Sequence, residues 1–486
     1  MLFNSFEFLI FFPIVTILYF VMPYKFRWAW LLAASCYFYM TFIPIYILIL
    51  GFTIVIDYFA GLYIEKTNDV RKKKLLLIIS LLSNISILGV FKYYNFINET
   101  LSFIVSISGH QNPIPFLKIL LPIGLSFHTF QAMSYTIEVY RGNQKAEKHF
   151  GIYALYVMFY PQLVAGPIER PQNMLHQFQE KHYFNYERAT DGLKLMLWGV
   201  FKKVVIADRL SIMVNEVYNH VDSYQGIPLI LATVFFAFQI YCDFSGYSDI
   251  ALGSAEVMGF KLMQNFNTPY FAKSIGEFWT RWHISLSTWF RDYLYIPLGG
   301  NRVTKWRWYS NLFVVFLVSG LWHGANWTFV IWGALHGLYQ ILGVATQKIK
   351  DKVQQIYASI GLINAYGLVS TLVTFTLVCF AWIFFRANSF ADAFYIVKHL
   401  SFTSLDIVND TRGKDLYLGI PLWRFFLSIF GIVFLLVTEY FNRSAARVPL
   451  FYASNKVVRW GSMYMVILAI LILGYFETNE FIYFQF

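Results

Sequence analysis

The sequence predicts an all-α polytopic membrane protein, and its composition and the spacing of its apolar runs indicate this class. Of 486 residues, 58% are hydrophobic and only 13% are charged, whereas a soluble domain usually carries about 25% charged residues. The mean hydropathy is +0.52. So much apolar surface requires lipid around it.

Apolar runs recur along the whole chain. A helix that crosses a membrane needs about 20 mostly apolar residues, so roughly ten to twelve crossings fit. The runs lie near residues 6–22, 28–48, 49–64, 75–91, 152–165, 192–206, 226–241, 308–322, 326–346, 366–386, 421–440 and 461–476. The first run has no basic region before it and no small-residue cleavage site after it, so we expect a retained helix rather than a signal peptide.

The chain reads as a single membrane-embedded domain over residues 1–486. No repeat of 20–50 residues and no Gly/Ser linker divides it, and polar segments such as Asp406 to Lys414 are too short to fold alone. The net charge of +11 is first explained by basic cytoplasmic loops. No long basic stripe supports nucleic-acid binding.

The basic clusters predict the orientation. Lys25 and Arg27 follow the first run, and the cluster 71–74 follows the third if residues 28–64 form two helices that turn near Pro44. Both clusters then lie on one side, which the positive-inside tendency makes cytoplasmic. The N-terminus is expected outside.

Two apolar stretches are interrupted. One has the sequence Leu-Pro-Ile-Gly at residues 121–124, and the other carries three prolines and a glycine within 159–171. Proline breaks a helix, and irregular backbone at membrane depth survives only inside protein or along a wet cavity. These stretches form either a re-entrant wall of a central cavity or an ordinary interfacial loop.

Residues 273–292 read as one amphipathic helix in the interface plane, with Trp282 on its apolar face. Glu277 and Arg281 are spaced to form an i, i+4 ion pair. His283 falls on the apolar side. It is either a buried structural histidine or a group that lines a substrate passage, because a titratable residue among apolar neighbours in a membrane protein is a candidate functional group.

His323 and His336 are the other two histidines in apolar surroundings. A continuous helix would separate them by roughly 20 Å, so both can approach one centre only if the chain unwinds near Gly324. A two-histidine metal site is not expected, and no metal is predicted, since no HExxH-like spacing occurs. The three cysteines also form no metal pattern and suit core packing: Cys36, Cys242 and Cys379.

A buried neutral imidazole can take a proton from a hydroxyl, because burial keeps the ring uncharged. His323 in this role suits acyl transfer to an alcohol, with Trp322 or Asn326 donating a hydrogen bond to the developing oxyanion. The alternative is a satisfied core histidine. Asp243 either binds a polar group of a cofactor or pairs with Arg281, and structural ion pairing is as good an explanation.

Several blocks together resemble the membrane-bound O-acyltransferase family, in its bacterial branch of alginate O-acetylation proteins. They occur in family order within a motif core of about 121–387, and they lie at residues 122–131, 160–168, 239–249, 278–300, 321–327 and 381–387. The pair Phe127-His128 departs from the expected two aromatic residues, so the resemblance assigns no role to His128.

The resemblance implies crossing helices around a thin core with a central channel. It implies that His323 is the essential histidine and His336 the second motif histidine, whereas His283 stands where relatives carry another polar residue. It further implies an acetyl group taken from a cytoplasmic donor such as acetyl-CoA, with no bound cofactor. The acyl group would pass to the outer face of the bacterial inner membrane, to a periplasmic or extracellular acetyltransferase partner and a polysaccharide hydroxyl.

Three alternatives remain. D-alanylation of teichoic acid and O-acetylation of peptidoglycan belong to the same family. A transporter with broken helices at its binding site belongs to another class, and the histidine motifs and the lack of an internal repeat argue against it.

Overall fold

The structure, a computed structural model, describes residues 1–401, 420–441, 448–476 and 481–482. The polar segment Asp406 to Lys414 lies outside these ranges. Regular structure within them is helical, which confirms the all-α prediction. The α-helices, numbered α1 to α21 in chain order, are Phe6–Val21, Tyr24–Met40, Ile47–Lys66, Val70–Leu88, Tyr94–Ile107, Leu125–Arg141, Phe150–Met158, Tyr160–Leu163, Pro171–Phe178, Tyr186–Phe201, Asp208–Asn219, Ile227–Met258, Ile275–Arg281, Ile284–Phe290, Lys305–His323, Trp327–Ala345, Gln347–Ser359, Ile363–Arg386, Phe390–His399, Leu422–Phe441 and Lys456–Leu473.

Seven helical segments of the described chain are long and apolar enough to cross a membrane. They are Pro44–Lys66, Val70–Ile107, Ile227–Met258, Trp327–Ala345, Ile363–Arg386, Leu422–Phe441 and Lys456–Leu473. The protein is therefore a multi-pass membrane protein. The count of ten to twelve crossings and the outside N-terminus stay predictions.

Two compact units make up the chain. One contains residues 1–196 and 247–263, and the other contains residues 197–246 and the described part of 264–486. Helix α12 contributes residues to both. The single-domain expectation stays a prediction.

In the first unit, α3, α4 and α6 pack against one another. The predicted turn near Pro44 is confirmed, since α2 ends at Met40 and α3 begins at Ile47 after a short 3-10 turn. Asp57 of α3 is fully buried and accepts hydrogen bonds from Ser80 (2.6 Å) and Asn84 (2.9 Å) of α4. These bonds satisfy a carboxyl group that would be costly to bury without a partner.

The interrupted stretch 159–171 is also in the first unit and is buried almost throughout. Glu169 fixes its end. One carboxylate oxygen accepts the backbone N–H of Met263 (2.5 Å) and the other accepts Asn173 Nδ2 (2.6 Å). Because these partners hold the chain inside protein, non-helical backbone is tolerated here. The re-entrant assignment stays a prediction.

Candidate active site

The stretch 273–292 is not one helix, and that prediction was wrong. Helix α13 ends at Arg281, and α14 begins at Ile284. Between them His283 has a φ of 43°, in the left-handed region that costs energy for a residue with a Cβ. The backbone N–H of Ile284 donates to the carbonyl of Asn265 at 2.9 Å. This kink leaves the imidazole of His283 fully buried.

The chain unwinds at Gly324, which is the condition under which His323 and His336 can approach one centre. His323 is the last residue of α15. Asn326 then caps α16, since its side-chain oxygen accepts the backbone N–H of Thr328 at 3.0 Å. Helices α15 and α16 therefore form an antiparallel hairpin, and the separation calculated for a continuous helix does not apply.

Two glycines allow the hairpin to close tightly. A Cβ on Gly320 would lie 2.3 Å from the carbonyl oxygen of Phe329, and a Cβ on Gly333 would lie 2.3 Å from that of Phe316. Real Cβ atoms do not approach backbone so closely. The distance between α15 and α16, and with it the placement of their histidines, depends on these missing side chains.

The three predicted histidines meet in one cluster. The ring centroids of His283 and His323 are 6.4 Å apart. Trp332 lies between the other two, with its ring 4.9 Å from that of His323 and 4.9 Å from that of His336. The rings of His323 and His336 are thus no more than twice 4.9 Å apart.

Aromatic rings surround the histidines and include both predicted tryptophans. The ring of Trp322 is 5.0 Å from that of His323. Trp282 lies 5.2 Å from Trp382, which stacks at 5.8 Å on Trp332. An aromatic wall of this kind keeps bulk water away, so polar interactions inside it are stronger than in water.

His336 has a defined partner. The indole N–H of Trp279 donates to its Nδ1 at 3.2 Å, and the two rings meet edge to face at 5.0 Å. Both side chains are buried. Helix α13 therefore determines how the ring of α16 is oriented.

Asp243 and Arg281 do not pair with each other, so that possibility was wrong. Arg281 binds Glu277 at 2.7 Å, and this predicted i, i+4 pair is confirmed. Asp243 instead binds Lys203 at 2.7 Å and also accepts the backbone N–H of Ile482 at 2.8 Å. Both residues are held in structural ion pairs.

The environment decides the charge of His283. Burial lowers its pKa to about 3, because a charged ring would lose its hydration. The ring is therefore neutral at physiological pH.

Within the described ranges, no group of three His, Cys, Asp or Glu side chains is placed to hold a metal ion.

Sequence reasoning missed three residues of this region. Trp279 lies in the stretch 273–292, where only an apolar helix face was predicted, and Trp332 was not singled out within the apolar run 326–346, although it precedes His336 by one helical turn. Lys203 lay inside an apolar run and was not matched to Asp243, from which it is distant in sequence. A buried lysine in such a run is a usable signal, since it requires an acid partner.

Comparison with known proteins confirms the family resemblance that was predicted from the sequence. Residues 148–381 match the membrane-bound O-acyltransferase family. The probable alginate O-acetylase AlgI of Pseudomonas aeruginosa is 36% identical, over 91% of this chain and 83% of that protein. The peptidoglycan O-acetyltransferase of Helicobacter pylori is 37% identical, over 76% and 72%. The teichoic acid D-alanyltransferase of Bacillus subtilis is 26% identical, over 55% and 69%.

A multi-pass helical protein with these relatives is a membrane acyltransferase. The chain belongs to the membrane-bound O-acyltransferase family, and the matched range contains all three clustered histidines. Membership decides against the transporter alternative.

Proposed function

We propose that this protein takes an acetyl group from acetyl-CoA on the cytoplasmic side and delivers it outward for O-acetylation of an exported or cell-surface polysaccharide. The observation that carries the proposal is the cluster of three buried histidines inside the range that matches an acyltransferase family. The relatives named above add the acetyl group and the polysaccharide, because alginate and peptidoglycan are both sugar polymers.

His323 is proposed as the general base. It ends α15 beside a backbone break, so its ring stands at a helix terminus rather than within a packed helix face. In the neutral form it accepts the proton of the attacking hydroxyl, a contribution of about 10²–10⁴ in rate. Two groups are candidate donors to the oxyanion. They are the indole N–H of Trp322, whose ring centroid is 5.0 Å from that of His323, and the amide N–H₂ of Asn326.

His283 is proposed to line the substrate passage. Its ring lies 6.4 Å from His323 and is neutral because of burial. The proposed location is the bacterial inner membrane, with a periplasmic or extracellular acetyltransferase partner that completes transfer to the sugar. D-alanylation of teichoic acid is the weaker alternative, since those relatives match little more than half of the chain.

The test uses a strain that lacks the protein and is complemented with variants. We expect His323→Ala to abolish ester-linked acetyl groups on the cell's polysaccharides while the protein remains in the membrane at normal abundance. His220→Ala is the matched control, because His220 is an exposed histidine of the same unit. Normal acetylation by His323→Ala would remove this residue from the mechanism.

Two further measurements in the same strains separate the remaining points. His283→Ala should retain part of the acetylation, and a complete loss with normal folding would give His283 a chemical role. Analysis of the released groups distinguishes the alternatives, since D-alanine ester in place of acetate would replace the proposed substrate class. Acetate found on peptidoglycan alone would select that polymer.

A further inference from the structure

The hydrogen bond between Trp279 and His336 determines which nitrogen of the His336 ring carries the proton. An indole N–H is only a donor, so Nδ1 of His336 must be the acceptor in the contact at 3.2 Å. An imidazole nitrogen accepts only when it carries no proton. The neutral ring of His336 is therefore held in the tautomer with its proton on Nε2.

This tautomer gives His336 a defined chemical capacity. Its Nδ1 is occupied by Trp279, and its Nε2 already holds a proton, so neither nitrogen can accept a proton without loss of the indole bond. The Nε2 atom is buried and has no acceptor among the residues that the structure describes. A buried donor without an acceptor costs free energy, and a ligand bound at the site is one explanation for such a group.

We propose that His336 donates a hydrogen bond from Nε2 to the carbonyl oxygen of the acyl group, with Trp279 as the positioning residue that holds this tautomer. The inference rests on the proposed acyl transfer and assigns different roles to its two motif histidines. His323 takes a proton, and His336 stabilises negative charge.

A second donor supports the assignment. Trp332 lies edge-on to His323 and His336, and its indole N–H is also buried without an acceptor in the described part of the chain. His323 and His336 both contact Trp332, so a hydroxyl bound to one ring and a carbonyl bound to the other would share one aromatic enclosure. The hydroxyl and the carbonyl can thus be held side by side.

Transfer of the acyl group from the thioester to the hydroxyl needs only His323 as proton carrier and His336 as hydrogen-bond donor. The acceptor hydroxyl oxygen attacks the carbonyl carbon of the acetyl thioester, its proton moves to His323, and the carbonyl oxygen becomes the oxyanion held by His336. The carbon–sulfur bond then breaks, and the proton on His323 passes to the departing thiolate. The products are an ester and a thiol, and His336 keeps its proton throughout.

The tautomer is tested without reference to activity. Nitrogen-15 NMR of the full-length protein, labelled at histidine and reconstituted in lipid, distinguishes Nδ1–H, Nε2–H and doubly protonated rings. The His336 signal is assigned by its absence in His336→Gln. We expect an Nε2–H ring in the wild type and a shift of the Nδ1 resonance in Trp279→Phe. An Nδ1–H ring would overturn the proposal.

Kinetics test the role of the bond. Removal of one oxyanion donor costs about 10²–10³ in kcat, so we expect a loss of this size in His336→Leu and a smaller one in His336→Gln, whose amide can still donate. Trp279→Phe should lower kcat about ten-fold with KM little changed. The control is Trp308→Phe, which removes an indole bond to Tyr295 elsewhere in the same unit and should leave kcat unchanged.

Two results separate this proposal from the assignment of His323. If His323→Ala stays active while Trp279→Phe and His336→Leu lose activity, the base is elsewhere and the donor assignment stands. If His336→Gln is as inactive as His336→Leu although both fold, or Trp279→Phe keeps the wild-type kcat, the donor role is wrong.

Discussion

The contact between α15 and α16 gives the sharpest test of how the fold positions the histidines. Gly333 lies on α16 one turn before Gly337 and packs on the backbone of α15. Its missing side chain leaves room for the carbonyl of Phe316, from which a Cβ would be only 2.3 Å away. Since real Cβ contacts stay above 3.0 Å, Gly333→Ala must open the hairpin by at least the difference, about 0.7 Å.

The expected magnitude follows from this displacement. Insertion of a methyl group into a closely packed contact costs about 1–3 kcal/mol. A misplacement of about 1 Å at a catalytic centre can cost about 10² in rate. His336 follows Gly333 on the same helix, so its ring moves relative to His323. We therefore expect a modest loss of stability together with a loss of acetylation of up to about a hundred-fold.

The assay compares ester-linked acetyl content in complemented cells with the thermal midpoint of the purified protein in detergent. The control is Gly343→Ala on the same helix, where the added Cβ would meet only Lys350 Nζ at 3.9 Å. Gly320→Ala disturbs the same contact from the side of α15. The loss of acetylation in the double variant with Gly333→Ala should therefore be smaller than the two single losses combined. Equal activity in Gly333→Ala and Gly343→Ala would refute the reasoning.

Two further predictions concern buried charge. In the folded protein, burial lowers the pKa of His283 to about 3. Below about pH 6.5 the unfolded chain therefore binds one more proton at this residue than the folded chain does. The free energy of unfolding should fall by about 1.4 kcal/mol for each pH unit between about 6.5 and 3. His283→Gln should remove that dependence, and identical pH–stability slopes in the two proteins would contradict the burial account. Asp243→Asn should destabilise the protein by roughly 3 kcal/mol, because buried Lys203 pairs with Asp243 and with Asp208 (2.8 Å) and would lose one of these two carboxylates. A matched loss in Glu277→Gln, whose pair with Arg281 is partly exposed, would indicate that burial is not the cause.

The fold class and several local features of this protein could be predicted from residues that are close together in the sequence. Composition and apolar runs predicted a helical membrane protein, because the length of a crossing and the need to satisfy backbone groups in lipid leave few alternatives. The turn near Pro44 and the pair Glu277–Arg281 depend on residues close in the chain, and both were predicted correctly. The blocks that carry the family resemblance are also local, and they contain His283 and His323, while His336 lies between two of them.

The tertiary structure decided what these histidines contact. Neither the kink at His283 nor the partnership of Asp243 with Lys203 could be deduced from spacing, because both depend on segments far apart in sequence. The same holds for Trp279, whose bond to His336 joins residues 57 positions apart. Periodicity reports which side of a helix is apolar. It does not report which nitrogen of a buried ring carries the proton, since that depends on a donor supplied by another helix.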